Sequence, residues 1–341
     1  MGRIILADAL EGLRLLEAGS CRTCVTSPPY YGLRDYGTPG QIGLEATPEE
    51  YIARLVEVFR EVRRVLADDG TLWINIADTY AGSYAGHGDT RTTNRANHAA
   101  RVDKPCITPS GMKPKDLMGI PWMLAFALRA DGWYLRQEII WAKPNPMPES
   151  VTDRCTKAHE SLFLLSKQPR YYFDASAIAE PVAESTVKRL AQDVDAQAGS
   201  TRVPGKTNGP MKAVPPRYGG NKYTATPEVF NRTKSGNAYV FRDMRNKRDV
   251  WTVATQPFKE AHFATFPPDL IRPCILAGSA KGDTVLDPFF GSGTTGVVTF
   301  EECRDFVGID NNPDYVALAE RRTAEAMTQG RYENTLIDFM R

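Results

Sequence analysis

Two short segments, far apart in the chain, carry residue types that could act together in catalysis. The first is Thr26-Ser27-Pro28-Pro29-Tyr30, which places a hydroxyl, two rigid prolines and an aromatic ring side by side. Prolines exclude both a helix interior and a central strand, so the segment must lie on a loop. The Ser27 hydroxyl and the Pro28 carbonyl could accept hydrogen bonds from a planar amine, and Tyr30 offers a ring face. The segment is typical of a site that aims an amino nitrogen, although a rigid turn with a packed ring is the alternative.

The second segment is Asp287-Pro288-Phe289-Phe290-Gly291-Ser292-Gly293-Thr294-Thr295-Gly296, whose pattern predicts a strand end, a glycine turn and a helix. Exposed backbone amides and the positive end of the helix dipole favour an anionic group at such a turn. No Gly-Lys-Ser/Thr follows, and the Gly-x-Gly-x-x-Gly spacing is absent. Nucleoside triphosphates and nicotinamide cofactors are therefore poorly supported.

Asp310 ends the next predicted strand, nineteen positions after Gly291. An acid at that place in an α/β sheet can accept hydrogen bonds from ribose hydroxyls. The predicted ligand thus has a ribose and a compact anionic end, as S-adenosylmethionine does. An alternative stays open, because Asp310 could instead cap the helix that begins near Pro313.

The rest of the chain alternates between strand and helix patterns. Apolar residues at helical spacing predict a helix from Pro48 to Leu66, and a buried strand follows from Thr71 to Ile76. This alternation predicts an α/β fold with a mainly parallel sheet. Other predicted strands cover 3–6, 24–26, 133–141, 159–167, 284–287 and 305–310, and other predicted helices cover 10–17, 121–129, 270–276, 294–302 and 313–327.

Composition restricts the class of protein further. The 341 residues carry a formal net charge of only +1, so any contact with nucleic acid must depend on local basic patches. No apolar run reaches the ~20 residues of a membrane span. The Cys21–Cys24 pair lacks the second pair that a tetrahedral zinc site needs, so we expect reduced thiols and no metal.

Residues 187–248 differ in composition from the rest of the chain. They hold thirteen Lys or Arg residues and four acids, together with many Gly, Pro, Asn and Thr residues. Interleaved aromatic residues, among them Tyr218, Tyr223 and Phe230, make nucleic-acid contact one interpretation of this segment. A solvated, partly disordered insertion is the other interpretation.

Taken together, the two motifs resemble those of the amino-group DNA methyltransferases of bacteria and their phages. Thr26–Tyr30 is similar to the family's catalytic motif, and Asp287–Gly296 is similar to its cofactor motif. The catalytic motif comes first, as in the permuted beta group. The resemblance implies a circularly permuted, Rossmann-like S-adenosylmethionine-dependent methyltransferase fold with helices on both faces of the sheet. It also implies a catalytic half at 1–180, a target-recognition insertion at 181–250 and a cofactor-binding half at 251–341.

The resemblance implies roles for individual residues as well. His262–Pro267 is similar to the segment that closes over the methionine end of the cofactor, and Asp8 sits where the family has an acid facing the adenine ring. The expected catalytic residues are Ser27, Pro28, Pro29 and Tyr30. The expected cofactor-binding residues are Asp8, Thr26, Phe266, Asp287, Phe289, Gly291, Ser292, Gly293, Thr294, Asp310 and Asn311. The expected DNA-binding residues are Arg34, Lys143, Arg217, Lys222, Arg232, Lys234 and Arg245.

The implied reaction is methyl transfer from S-adenosylmethionine to an exocyclic amine of a base flipped out of double-stranded DNA. Ser27 favours the N4 amine of cytosine, because Ser-Pro-Pro-Tyr mostly accompanies that target in the family, and adenine N6 is the alternative. A DNA-binding protein that has lost catalysis is a more distant alternative. Methylation of RNA or of a glutamine amide is disfavoured, because those families place the cofactor motif first.

The resemblance implies partners and a location in the cell. The expected partners are double-stranded DNA, a second copy of the chain and a cognate restriction endonuclease, with no membrane. The expected location is the cytoplasm of a bacterial or phage-infected cell.

Overall fold

The computed structural model describes residues 2–32, 40–82, 111–183, 230–232, 238–240, 244–256 and 266–339. Of residues 230–232, 238–240 and 329–339 only the backbone is described. Helices α1 to α6 cover Ala9–Arg14, Pro48–Val65, Ile120–Ala130, Pro268–Gly278, Thr294–Glu301 and Pro313–Phe339. Strands β1 to β12 cover Arg3–Leu6, Cys21–Thr26, Leu66–Ile76, Tyr134–Ala142, His159–Ser166, Glu180–Pro181, Phe230–Arg232, Ala238–Val240, Met244–Arg245, Val250–Thr252, Thr284–Asp287 and Asp305–Asp310.

Helix α2 shows how the sequence pattern produces a buried element. The Thr47 side chain accepts a hydrogen bond from the Glu50 amide at 3.2 Å, which caps the first turn. Tyr51, Leu55 and Val62 follow at helical spacing and are fully buried. The expected helix therefore forms, and its apolar stripe packs in the largest hydrophobic core of the described residues.

Eight of the described strands form one sheet in the order β1-β12-β11-β2-β3-β5-β4-β10. Five neighbouring pairs are parallel, and β5 alone runs antiparallel to both of its neighbours. The expectation of a mainly parallel sheet is therefore confirmed. Because β1, β12, β11, β2 and β3 run parallel, their carboxyl ends lie at one edge of the sheet, where α/β proteins bind ligands.

Helices cover both faces of this sheet. Cys24 on β2 packs in the same core as α2, whereas the neighbouring Thr23 lies beside Gly278 of α4. Successive strand residues point to opposite faces, so α2 and α4 lie on opposite sides of the sheet. Helix α2 also contacts α1 and α3, and α5 contacts α4 and α6. Every helix in the described part of the chain is too short or too polar to span a bilayer.

The element boundaries differ from the expected ones at one informative place. Strand β3 begins at Leu66, five residues before the expected start at Thr71, because Leu66 already pairs with Cys21 of β2. The register shifts between Cys21 and Thr23, and at this irregularity Gly70 lies close to the Arg22 carbonyl. Pairing with a neighbouring strand thus extends β3 through an Asp-Asp-Gly sequence that alone predicts a turn.

The chain divides into two compact units. One comprises residues 1–177 and 248–341, and the other comprises Ile178–Lys247. The described strands of the smaller unit pair as two short antiparallel ladders, β6 with β9 and β7 with β8. The role of residues 181–250 in target recognition stays a prediction.

Candidate active site

A cleft in the larger unit lies at the carboxyl ends of the parallel strands. It contains about 1020 Å³ of space, part of it open to solvent. Residues of both motifs line it. Ser27 to Tyr30 come directly after β2, and Phe289 to Ser292 come shortly after β11. Further lining residues are Asp8 after β1, Phe266 before α4, Thr294 at the start of α5, Asp310 at the end of β12 and Asn311 directly after it.

The two motifs are joined directly by hydrogen bonds to a buried carboxylate. Asp287 accepts from the Thr26 hydroxyl at 2.7 Å, although the two residues are 261 positions apart in the chain. Its other oxygen accepts from the Thr295 hydroxyl at 2.6 Å, on the first turn of α5. Burial raises the pKa of Asp287 to about 6 despite these bonds. Asp287 and Thr26 therefore hold the two turns together. Neither residue is among those that line the cleft.

The glycine turn depends on left-handed backbone and on a side chain from α6. Gly293 has φ +79° as the residue that precedes α5, and a Cβ there would lie 2.8 Å from Ala319. Glycine removes both the backbone strain and the clash. Arg322 donates to the Ser292 carbonyl at 2.6 Å and to the Ser292 hydroxyl at 2.8 Å. Ser292 is thus fixed, and its neighbour Gly291 lies on the wall of the cleft.

Asp310 organises the cofactor side of the cleft. Its carboxylate accepts from the Gly291 amide at 2.7 Å and from the Asn312 amide at 2.9 Å. Burial raises its pKa. The cap of α6 is Asn312, whose side chain accepts from the Asp314 amide at 2.9 Å, so the helix-cap alternative for Asp310 is wrong. Asp310 lines the cleft beside the glycine turn, and its role in binding ribose stays a prediction.

Asp8 both caps a helix and lines the cleft. Its side chain accepts from the Leu10 amide at 2.9 Å, which caps α1. It also lines the cleft, just after β1, the strand next to β12. Its contact with an adenine ring stays a prediction.

The proline turn is fixed by side chains from other elements. The Tyr51 hydroxyl, on α2, donates to the Pro29 carbonyl at 2.8 Å. The Ser27 hydroxyl donates to the Tyr30 hydroxyl at 3.4 Å, and the Tyr30 hydroxyl donates to Glu160 Oε2 at 2.7 Å. Burial and the Glu160 carboxylate hold the pKa of Tyr30 well above its ordinary value, so Tyr30 keeps its proton.

Glu160 is the acceptor on which several polar groups converge. Asn75 Nδ2 donates to the same oxygen as Tyr30, at 3.1 Å, and the Lys143 ammonium forms an ion pair with the other oxygen. The side chains of Lys143 and Glu160 are only 19% and 12% exposed. The ammonium also lies 4.3 Å from the centre of the Trp141 ring. Lys143, predicted to contact DNA, is therefore paired with Glu160 in this structure, which contains no DNA.

Of the other predicted DNA-binding residues, the structure describes only Arg245 and the backbone of Arg232. Arg245 lies in the smaller unit, with its Nε 2.9 Å from Glu180 Oε1. Arg232 belongs to β7, of which only the backbone is described. Arg34, Arg217, Lys222 and Lys234 lie outside the described residues. A role in DNA binding stays a prediction for all of them.

The sequence analysis missed several residues that shape the site. Arg322, Asn75 and Glu160 act through hydrogen bonds, and Gln41 and Tyr315 line the cleft. Glu160 stands at the start of a predicted strand, where a charged residue is unremarkable. None of the five belongs to a short motif, and only the folded chain brings them to the cleft or to the residues that line it.

Comparison with known proteins agrees with this arrangement. A family model described as DNA methylase, for N6 and N4 methyltransferases, matches residues 21–321, which is more than half of the chain. The chain belongs to the DNA methylase family. The resemblance drawn from the two motifs is thereby confirmed, as is S-adenosylmethionine as the expected methyl donor.

Individual relatives extend the match over nearly the whole chain. The type II methyltransferase M.XycI of Xanthomonas campestris pv. cyanopsidis is 46% identical over 96% of this chain and 88% of its own. In solved structures the fold recurs in a PvuII DNA methyltransferase that is cytosine-N4-specific, with TM-score 0.57, 16% identity and coverage of 94% and 86%. It also recurs in a Thermus thermophilus protein complexed with S-adenosyl-L-methionine, with TM-score 0.55, 20% identity and coverage of 96% and 94%. This DNA methylase is therefore a type II methyltransferase with the expected Rossmann-like methyltransferase fold.

Proposed function

We propose that this DNA methylase transfers a methyl group to the N4 amine of cytosine in double-stranded DNA. One observation carries the proposal: the hydroxyl-bearing turn Ser27–Tyr30 and the glycine turn face the same cleft and are tied together through Asp287. Such a cleft has room for a nucleoside-sized ligand on one side and a planar base on the other. The base must leave the duplex to enter it.

The residues on the cofactor side fit S-adenosylmethionine. Asp310 offers carboxylate lone pairs for ribose hydroxyls, and Asp8 lines the cleft at the end of the adjacent strand. Phe266 and Phe289 add apolar surface to the walls. The bound cofactor supplies an activated methyl group on a sulfonium, so the protein needs to position and polarise the acceptor nitrogen.

The proline turn provides that positioning. An exocyclic amine is a weak nucleophile, because its lone pair is delocalised into the ring. The Ser27 hydroxyl oxygen and the Pro28 carbonyl can accept the two amine hydrogens and stabilise the positive charge that grows on nitrogen. Pro29 has its carbonyl bound to Tyr51, which keeps the turn in one conformation. The Tyr30 ring lines the same cleft and offers the base a face for stacking.

Cytosine is preferred to adenine because position 27 is serine. A neutral hydroxyl stands where the adenine-specific members of the resembling family mostly have an acid. The same cleft could take adenine, so N6-methyladenine is the competing product. Residues 181–250 are proposed as the target-recognition region, on the basis of their basic and aromatic composition.

The experiment is transfer of labelled methyl from S-adenosylmethionine to duplex DNA, followed by digestion and separation of the nucleosides. Label in N4-methylcytosine is the expected result. Label in N6-methyladenine would replace the base assignment and leave the site unchanged. Incorporation only into RNA or protein would overturn the proposal.

A further inference from the structure

Glu160 has no part in the motifs, yet the catalytic turn depends on it. The carboxylate is largely buried behind Tyr30, at the start of β5, and it is absent from the residues that line the cleft. Of its hydrogen-bond partners, Tyr30 is the one that lines the cleft, at 2.7 Å from Glu160 Oε2. The connection from Glu160 to the methyl-transfer site therefore runs through Tyr30. The inference below rests on the proposed function of this cleft.

The direction of the hydrogen bonds around Tyr30 is the first step. An ionised carboxylate accepts hydrogen bonds and cannot donate them, so the proton between Tyr30 and Glu160 belongs to Tyr30. The raised pKa of Tyr30 agrees with this assignment. The other possible acceptors of this proton are farther away, with Asn75 Oδ1 at 3.2 Å and Ser27 Oγ at 3.4 Å. The Tyr30 proton therefore goes to the nearest and charged acceptor, Glu160, and not to Ser27.

The orientation of Ser27 follows from that of Tyr30. A tyrosine hydroxyl whose proton is committed can only accept from its next neighbour, and Ser27 Oγ lies 3.4 Å away. The Ser27 hydroxyl therefore donates its single proton to Tyr30. Its oxygen lone pairs are left for the cleft, where an amine would present hydrogens. The order Ser27 to Tyr30 to Glu160 thus makes Ser27 an acceptor on the cleft side.

Two neighbours keep Glu160 in place. Lys143 pairs with one carboxylate oxygen, and Asn75 donates to the other from β3. The Asn75 amide is itself oriented by the Ser161 carbonyl, at 3.4 Å from Nδ2. A buried carboxylate with both oxygens engaged has one orientation, which charge-assisted hydrogen bonds stabilise.

We propose that Glu160 is a positioning residue of the methyl-transfer site, which sets the direction of the Ser27–Tyr30 hydrogen bonds so that Ser27 accepts from the target amine. Lys143 has the role of holding Glu160, in place of the DNA contact expected from its position in the sequence. A purely structural ion pair would stabilise the fold without setting the proton direction at Ser27.

Glu160→Gln separates these two roles. Glutamine keeps the size of the side chain but brings an NH₂ donor, so Tyr30 is free to turn its proton toward Ser27 and reverse the chain. The matched control is Glu138→Gln on β4, because Glu138 also accepts from a hydroxyl, that of Ser161 at 2.8 Å, and does not line the cleft. The rate is measured in a single turnover, with enzyme in excess over a duplex and saturating S-adenosylmethionine.

We expect Glu160→Gln to slow the single turnover about tenfold, the size expected for loss of a hydrogen bond to a charged group. The affinity for S-adenosylmethionine stays within twofold, and Glu138→Gln has the wild-type rate. Tyr30→Phe also slows transfer, and Glu160→Gln in that background adds little, because its effect passes through the Tyr30 hydroxyl.

Three results would overturn the inference. They are a wild-type rate in Glu160→Gln, effects of Glu160→Gln and Tyr30→Phe that multiply, and an equal loss of rate in Glu138→Gln. If Glu160→Gln does not fold, as judged from its unfolding transition, an unchanged rate in Tyr30→Phe overturns the inference alone. Failure of the wild-type protein to methylate DNA would instead overturn the proposed function, and this inference with it.

Discussion

The two sides of the cleft are built in different ways. The glycine turn on the cofactor side depends on left-handed glycines and on the Asp287 carboxylate at its own start, with Asp310 and Arg322 as its two contacts from other elements. The proline turn is held by side chains from three other elements, with Tyr51 from α2, Asn75 from β3 and Glu160 from β5. The backbone of the glycine turn therefore follows largely from its own sequence, whereas the proline turn depends on side chains from three separate elements.

Substitutions on the two sides should consequently have opposite signatures. Changes in the proline turn should lower the rate of methyl transfer with little effect on cofactor affinity. Changes in the glycine turn should lower cofactor affinity with little effect on the rate at saturating cofactor.

Tyr30→Ala should have the largest effect. It removes both the ring that stacks on the base and the hydroxyl that orients Ser27. We expect the single-turnover rate to fall about 100-fold, since stacking of one base contributes about 1–3 kcal/mol and the hydroxyl adds to that. Cofactor affinity, measured by calorimetry, should stay within a few-fold. A large loss of cofactor binding would contradict the division of the cleft.

Gly293→Ala should produce the opposite signature. Its Cβ would lie 2.8 Å from Ala319 in a backbone of φ +79°. We expect the affinity for S-adenosylmethionine to fall about tenfold, from strain of about 1–3 kcal/mol in the turn. The control is Gly282→Ala, which has φ +84° and open space around the added methyl group. Equal affinities in the two variants would show that contact with α6 does not shape the turn.

The smallest expected effect is a dependence of stability on pH, which comes from the titration of Asp287. It concerns both sides of the cleft, because Asp287 bonds to both turns. The folded pKa of about 6 exceeds the ordinary 3.8, so the folded protein binds this proton more tightly than the unfolded chain. The group therefore contributes stability that is fully present below pH 3.8 and is lost as the pH rises through about 6.

The check is the free energy of unfolding by urea, measured between pH 4 and 7 for the wild type and for Asp287→Asn. The difference between the two proteins should change across this window, with the wild type losing stability relative to the variant as the pH rises. A difference that is constant with pH would show that Asp287 titrates normally.

The features that the sequence predicts are those that depend on local patterns and not on contacts between distant elements. The helix Pro48–Val65, the glycine turn and the strand that ends at Asp310 follow from local periodicity and turn chemistry, and they were predicted nearly to the residue. The early start of β3 at Leu66 depends on pairing with Cys21, which local patterns do not contain.

The supporting shell of the site has the same limitation. Arg322 reaches the glycine turn from 30 positions away, and Glu160 reaches Tyr30 from 130. Ordinary charged residues on a helix and a strand give no signal of such contacts. The motifs therefore indicate the chemistry, whereas the residues that orient them require the folded sheet.

The most direct test of the central claim is a crystal structure of the protein with S-adenosylhomocysteine and a duplex that contains the target. The account predicts that the ribose contacts Asp310 and that the cofactor sulfur faces an extruded cytosine, whose amine is within hydrogen-bonding distance of Ser27 Oγ and the Pro28 carbonyl. A cofactor bound away from the glycine turn, or a base that enters on a side remote from Ser27 to Tyr30, would contradict it.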